Sequence, residues 1–206
     1  MTFPLRAIVL HDGIDRWGLS SLATDRYDYV CRYVVGHCLD VGCGPYNRLV
    51  THFLEGDGKG IDVYPYQGLT DENLVKDISR FPFDGASFSS VTFVANINHV
   101  PKSLRDTELA ESLRVLKPGG NIIVTMGRPW VEFLVHKLVA FYDRTLGTAL
   151  DIDSQRGMVE EEDYYVVPRE ITERLLRVGF RNIERRLFWT QWGLNQLFVG
   201  WKPPNP

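Results

Sequence analysis

The sequence has no long apolar run, little cysteine and no excess of positive charge. No stretch approaches the roughly 18 apolar residues that a membrane-spanning helix needs. The opening residues MTFPLRAIVLHDGIDRWG offer neither a basic leader nor a small-residue cleavage site. A protein without a membrane span, placed in the cytoplasm, is expected. The three cysteines, Cys31, Cys38 and Cys43, lack Cys-x-x-Cys spacing and have no histidine pair at ligand spacing beside them. Neither disulfides nor a metal site are expected. With a net charge of -3 and scattered Lys and Arg, there is no basic stripe to neutralise phosphates, which disfavours nucleic acid as a partner.

What remains is 206 residues, 44% apolar and 24% charged, enough for one well-filled core and short for two. A single domain over 1–206 is expected. Short apolar runs at 37–41, 59–63, 73–76, 89–95 and 121–126 alternate with helical patterns at 47–55 and 104–116, as in a parallel sheet covered on both faces. Ser103 is read as the N-cap of the second helix and Lys117-Pro118-Gly119-Gly120 as its stop. Further on, 168–178 reads as a helix capped by Gly179, followed by strands at 181–189 and 195–201. The loop 190–194 is short enough to make that last pair antiparallel. Ahead of the first strand, 20–35 reads as a helix packed across the sheet.

The segment 128–167 stands outside this alternation. Its helical part, 129–146, carries Trp130, His136 and Tyr142, and it continues into the acidic stretch 151–163. An insertion at the carboxyl end of a strand overhangs the ligand side of an open α/β sheet. A lid or substrate-binding insertion is therefore expected there, its apolar face suiting an apolar or aromatic acceptor.

The turn Cys38-Leu-Asp-Val-Gly-Cys-Gly-Pro-Tyr-Asn47 has a strand before it and a helix pattern after it. A dinucleotide turn wants G-x-G-x-x-G, but from Gly42 the third glycine position holds Asn47. Asp40 is also ill placed against a pyrophosphate and suits a ligand with a cationic end. Asp62 follows 22 residues later at the end of the second strand, where a carboxylate can accept both hydroxyls of a ribose. Asp77 ends the third expected strand. Three strand-end acids suggest a nucleoside with a positively charged appendage, which describes S-adenosylmethionine. A nicotinamide-dependent oxidoreductase, and a protein that binds the cofactor without catalysis, are the competing readings.

The series Leu39-Asp-Val-Gly-Cys-Gly-Pro45, Gly60-Ile-Asp62, Asp77, Phe81-Pro-Phe-Asp-Gly-Ala-Ser-Phe88, Asn98-His-Val100 and Leu113-Arg-Val-Leu-Lys-Pro-Gly-Gly120 resembles the class I S-adenosylmethionine-dependent methyltransferases, in particular the ubiquinone-biosynthesis-like group. The resemblance implies a three-layer Rossmann-like α/β fold with a seven-stranded, mostly parallel sheet and one antiparallel strand. It implies methyl transfer from S-adenosyl-L-methionine, giving S-adenosyl-L-homocysteine, to a small-molecule acceptor; the apolar face of 129–146 suggests a partly apolar one, and a monomer or homodimer is expected. Carried over, Asp40 would hold the methionine amino group, directly or through water, with the backbone of Gly42, Cys43 and Gly44 bordering the ligand. Asp62 would bind the ribose hydroxyls with Val63 beside the adenine. Asp77 would approach the exocyclic amine with Ile78 on the ring, and Asn96 would lie near the sulfonium. His99 is the candidate general base, since imidazole titrates near neutral pH. Pro45-Tyr46 departs from the family pattern, leaving open whether Tyr46 starts a helix or helps to hold the cofactor.

Overall fold

The computed structural model describes residues 22–128, 162–163, 165–191 and 193–204. Within these, six strands form one sheet: β1 (Cys38–Val41), β2 (Gly58–Ile61), β3 (Phe88–Val94), β4 (Leu116–Gly127), β5 (Arg181–Leu187) and β6 (Asn195–Trp201). Their order is β2-β1-β3-β4-β6-β5. β1 pairs in parallel with β2 and β3, and β3 with β4, whereas β6 runs antiparallel to both β4 and β5. The reversed strand expected from the short final loop is therefore present, one place in from the edge. The edge itself, β5, is exposed and carries Arg181, Glu184, Arg185 and Arg186, charges that discourage pairing with another chain.

Side-chain alternation distributes the sheet between two cores. Leu39, Val41, Ile122, Val124 and Phe198 meet Leu109 of α2 (Arg105–Val115) and Ile171 and Leu175 of α3 (Pro168–Val178) on one face. On the other, Ile123, Leu197 and Val199 meet Tyr29 and Val30 of α1 (Leu22–Cys31), together with Leu49. This is the expected helix–sheet–helix layering.

Four details differ from the sequence reading. The segment 73–76 contributes one parallel bridge, Asp62 to Leu74, in place of a seventh strand. Asn73 is drawn into a turn, its Nδ2 donating to Gly60 O at 2.8 Å and its Oδ1 accepting from Thr70 N at 3.0 Å. A second turn follows at Asp77, which accepts from Ser79 N at 2.9 Å. The helix expected at 47–55 is a 3₁₀ turn, Pro45–Asn47, followed by the π-helix Leu49–Phe53. Tyr46 and Asn47 have φ of 62 and 48, so the chain leaves helical conformation just where an α-helix would start. Leu104, not Ser103, occupies the N-cap of α2, with no capping side chain. The Lys117–Gly120 residues fall inside β4, in the register shift between the Leu116–Phe88 and Asn121–Ser90 pairs. The end of α2 is held instead by Lys202, whose Nζ donates to Leu113 O and Leu116 O at 2.8 and 2.7 Å. Residues 129–161, and with them most of the expected lid, lie outside the described residues.

Candidate functional site

β2 lies on one side of β1 and β3 on the other, so the carboxyl end of β1 is the switch point at which open α/β sheets hold ligands. A cavity of about 380 Å³ opens there, within the range of small-molecule sites. Gly42 N and Cys43 N both donate to Ile61 O, at 2.8 and 3.1 Å, stitching the turn after β1 to the end of β2. Gly42 is at φ 71, and a Cβ there would run into the Asn96 amide. Only glycine allows this approach, which lets Asn96 Nδ2 donate to Val41 O at 3.2 Å across the turn.

Asp62, just past β2, is the best-placed of the expected acids. It is buried, lines the cavity, and accepts from Gly44 N through Oδ2 and from Tyr64 N through Oδ1, both at 2.9 Å. A carboxylate has about four acceptor sites, so each oxygen keeps capacity for a ligand hydroxyl. Gly42, Gly44, Val63, Ile78, Asn96 and His99 line the same cavity.

Asp40, Cys43 and Asp77 are not part of its wall. With Leu39 and Val41 turned into the α2 and α3 core, alternation turns Asp40 to the opposite face. There it is 1% exposed and its Oδ1 accepts from Thr92 Oγ1 at 2.6 Å. Burial pushes its carboxyl up to about 7, the Thr92 hydrogen bond pulling the other way and Asp62 adding to the rise. Cys43 is buried, and burial raises its thiol well above the usual range, which disfavours a reactive thiolate. Asp77 is exposed, and its Oδ1 accepts from both the backbone and the hydroxyl of Ser79, which hold its carboxyl below the usual value. The Tyr46 ring packs over Gly68, where a Cβ would strike it, and is not part of the cavity wall.

His99 reaches the cavity but does not act alone. Asn98 Nδ2 faces its Nε2 at 3.2 Å, and Glu162 Oε2 lies 3.6 Å from its Nδ1. Glu162 comes from the end of the 128–167 segment, and its side chain is buried in the cavity wall.

Three residues of the site escaped the sequence reading: Glu162, Glu108 and Arg105. Glu108, on α2, lines the cavity, is 3% exposed, and its Oε2 has no hydrogen-bond partner among the described residues. Burial, with the Asp62 charge adding to it, pushes its carboxyl up to about 8. Arg105 is fully buried. Its Nε donates to Ile97 O and Val100 O at 3.2 and 3.0 Å, and its Nη2 to Asn98 O at 3.4 Å and Asp163 Oδ2 at 2.8 Å. Its Nη1 meets Glu170 Oε1 of α3 at 3.2 Å. One guanidinium thus fixes the loop that carries His99 and the segment that carries Glu162. For Arg105 and Glu108 the signal was present: 105, 108, 109, 112 and 115 form the buried stripe of α2, and two of those positions carry charge.

The family model described as a methyltransferase domain matches residues 39–124. The ubiquinone/menaquinone biosynthesis C-methyltransferase UbiE of Brucella anthropi is 26% identical over 147 residues, covering 66% of this chain and 53% of the relative. The chain thus spans about half the length of the curated relatives it matches. Among solved structures, a SAM-dependent methyltransferase from Archaeoglobus fulgidus superposes with a TM-score of 0.62 at 14% identity, over 88% of this chain and 93% of that one. The 1,6-didemethyltoxoflavin-N1-methyltransferase of Burkholderia thailandensis, solved with 1,6-didemethyltoxoflavin and S-adenosylhomocysteine, gives 0.60 at 16% identity over 94% and 84%. Fold, motif order and the matched domain agree: the resemblance to the class I S-adenosylmethionine-dependent methyltransferases, ubiquinone-biosynthesis-like group, is borne out.

Proposed function

We propose that this chain transfers a methyl group from S-adenosylmethionine to a small, partly apolar molecule. The observation that carries this reading is Asp62: a buried carboxylate at the end of β2, braced by the Gly44 and Tyr64 amides and open to the cavity. That disposition fits a ribose. The apolar wall of Val63, Val75, Ile78 and Phe81 fits a base beside it, and Gly44, where a Cβ would meet nothing within 4 Å, keeps the turn open to a ligand.

Bound S-adenosylmethionine supplies a methyl carbon already activated by the sulfonium. The protein's contribution is then chiefly alignment and exclusion of water. Asp62 orients the ribose, Asn96 shapes the turn, and the apolar wall keeps the site dry. Where the acceptor must lose a proton, Nε2 of His99 receives it as the Asn98 amide turns aside, and Glu162, 3.6 Å from Nδ1, stabilises the imidazolium so formed.

Calorimetry with S-adenosylhomocysteine tests the cofactor site. Asp62→Ala is expected to weaken binding about 10- to 100-fold, the loss of hydrogen bonds on the order of 1–3 kcal/mol. Equal affinity in a variant with an unchanged melting curve would refute the assignment. A thermal-shift comparison of S-adenosylmethionine with NAD(P) separates the oxidoreductase reading. A metabolite screen with labelled methyl donor tests catalysis, and saturable binding without any labelled product would favour a non-catalytic binder. For the acceptor step, His99→Gln is expected to lower kcat at least tenfold while leaving S-adenosylhomocysteine affinity within about threefold.

A further inference from the structure

A buried polar group without a hydrogen bond is costly, and a ligand group that supplies one to a carboxyl in a cavity wall gains that free energy on binding. Glu108 is such a carboxyl: its Oε2 lacks a partner among the described residues, and it shares the cavity with the apolar wall of Val75, Ile78 and Phe81 and with Asp62. The residue that the resemblance would assign to the exocyclic amine, Asp77, is exposed, bound to Ser79 and outside that wall. We propose that Glu108, as a neutral carboxyl, reads the adenine of the bound cofactor, its O–H donating to a ring nitrogen and its carbonyl oxygen accepting from the 6-amino group. The match is chemical: adenine presents a ring-nitrogen acceptor beside an amino donor, and a protonated carboxyl presents a donor beside an acceptor. Carboxyls kept neutral by apolar surroundings serve as hydrogen-bond donors at other sites. This inference rests on the cofactor reading above and adds the residue that recognises the base.

The surroundings favour the neutral form. The titratable groups sharing the cavity are Asp62, Tyr66, His99 and Glu162. On α2 itself Arg105 is committed to Asp163 and Glu170, and Glu111 to Arg114. From α3, Glu170, Arg174 and Arg177 meet Arg105 and Asp106. None of these ion pairs includes Glu108, and its burial together with the Asp62 charge raises its carboxyl to about 8.

The test is equilibrium binding of S-adenosylhomocysteine, and of its analogue lacking the 6-amino group, to the wild type, Glu108→Gln and Glu108→Leu at pH 6.5 and 9.5. Glutamine also offers a donor beside an acceptor but does not titrate, whereas leucine fills the space and offers neither. At pH 6.5 Glu108→Leu is expected to bind S-adenosylhomocysteine about 10- to 100-fold more weakly and Glu108→Gln within about threefold of wild type. Removing the 6-amino group should cost the wild type about tenfold and Glu108→Leu less than about twofold. Between pH 6.5 and 9.5 the wild type should lose up to about 30-fold relative to Glu108→Gln, since only the neutral fraction of Glu108 is competent. Equal affinity of all three proteins, or a 6-amino effect unchanged in Glu108→Leu, would overturn the proposal while leaving the cofactor reading intact. Absence of saturable binding to the wild type at pH 6.5 would overturn both.

Discussion

Replacing Asp40 by asparagine is expected to stabilise the protein more at pH 8 than at pH 5. The carboxyl is 1% exposed, and burial raises it from 3.8 to about 7. Because the folded-state value lies above the unfolded one, the folded protein holds this proton more tightly. The associated stability is intact below about pH 4 and is lost progressively as pH rises to about 7. At about 1.4 kcal/mol per pH unit, the full loss is roughly 4 kcal/mol, of which roughly 1.5 has accrued by pH 5. The asparagine side chain still accepts from Thr92 but buries an amide nitrogen, a cost of about 1–2 kcal/mol that is the same at both pH values. Urea unfolding followed by tryptophan fluorescence, extrapolated linearly to water, should therefore show the stability difference between variant and wild type growing by roughly 2–3 kcal/mol from pH 5 to pH 8. A difference that stays constant within about 0.5 kcal/mol would mean that Asp40 titrates like an exposed carboxyl, and the argument from its burial would fail.

Arg105→Met should destabilise the protein by about 3–5 kcal/mol, because Asp163, Glu170 and several loop carbonyls lose a buried cation at once; urea unfolding checks it. Gly42→Ala combines a left-handed backbone with a clash against the Asn96 amide, so it should cost about 1–3 kcal/mol and weaken S-adenosylhomocysteine binding in the same protein. Lys202→Ala removes the cation that bonds two carbonyls at the end of α2. A loss of about 1–2 kcal/mol is expected, read as a lowered midpoint in thermal unfolding.

The parallel alternation, the reversed last strand and the acid at 62 were legible because each rests on a local signal: period-two apolar runs, a short loop, a carboxylate at a strand end. Asp40 and Asp77 looked equivalent to Asp62 for the same reason. What separates them is tertiary. Alternation along β1 turns Asp40 to the far face, and Ser79 engages Asp77 in its own turn. The break at Tyr46 and Asn47 was hidden because Pro45 is an ordinary first residue for a helix, while the positive φ values come with contacts to Gln67 and Gly60. Arg105 and Glu108 were hidden in a helix read for its apolar face. A 3.6-residue period shows which side turns inward, but not that a charge there will meet loop carbonyls or the wall of a cavity.

The position of Arg105 bears on how the site comes into being. The backbone hydrogen bonds from His99 N to Asn96 O and from Asp163 N to Asn98 O belong to segments far apart in the chain, yet both segments are fastened to the same side chain. Opening either one strands a buried cation, so they should open together, as one cooperative unit. In hydrogen exchange the amides of His99 and Asp163 should then share one protection free energy, and the arrangement of His99 and Glu162 should be lost in a single step before the sheet unfolds. A cavity built this way exists either whole or not at all, which sets a lower limit on the α2–α3 contact that any functional variant must keep.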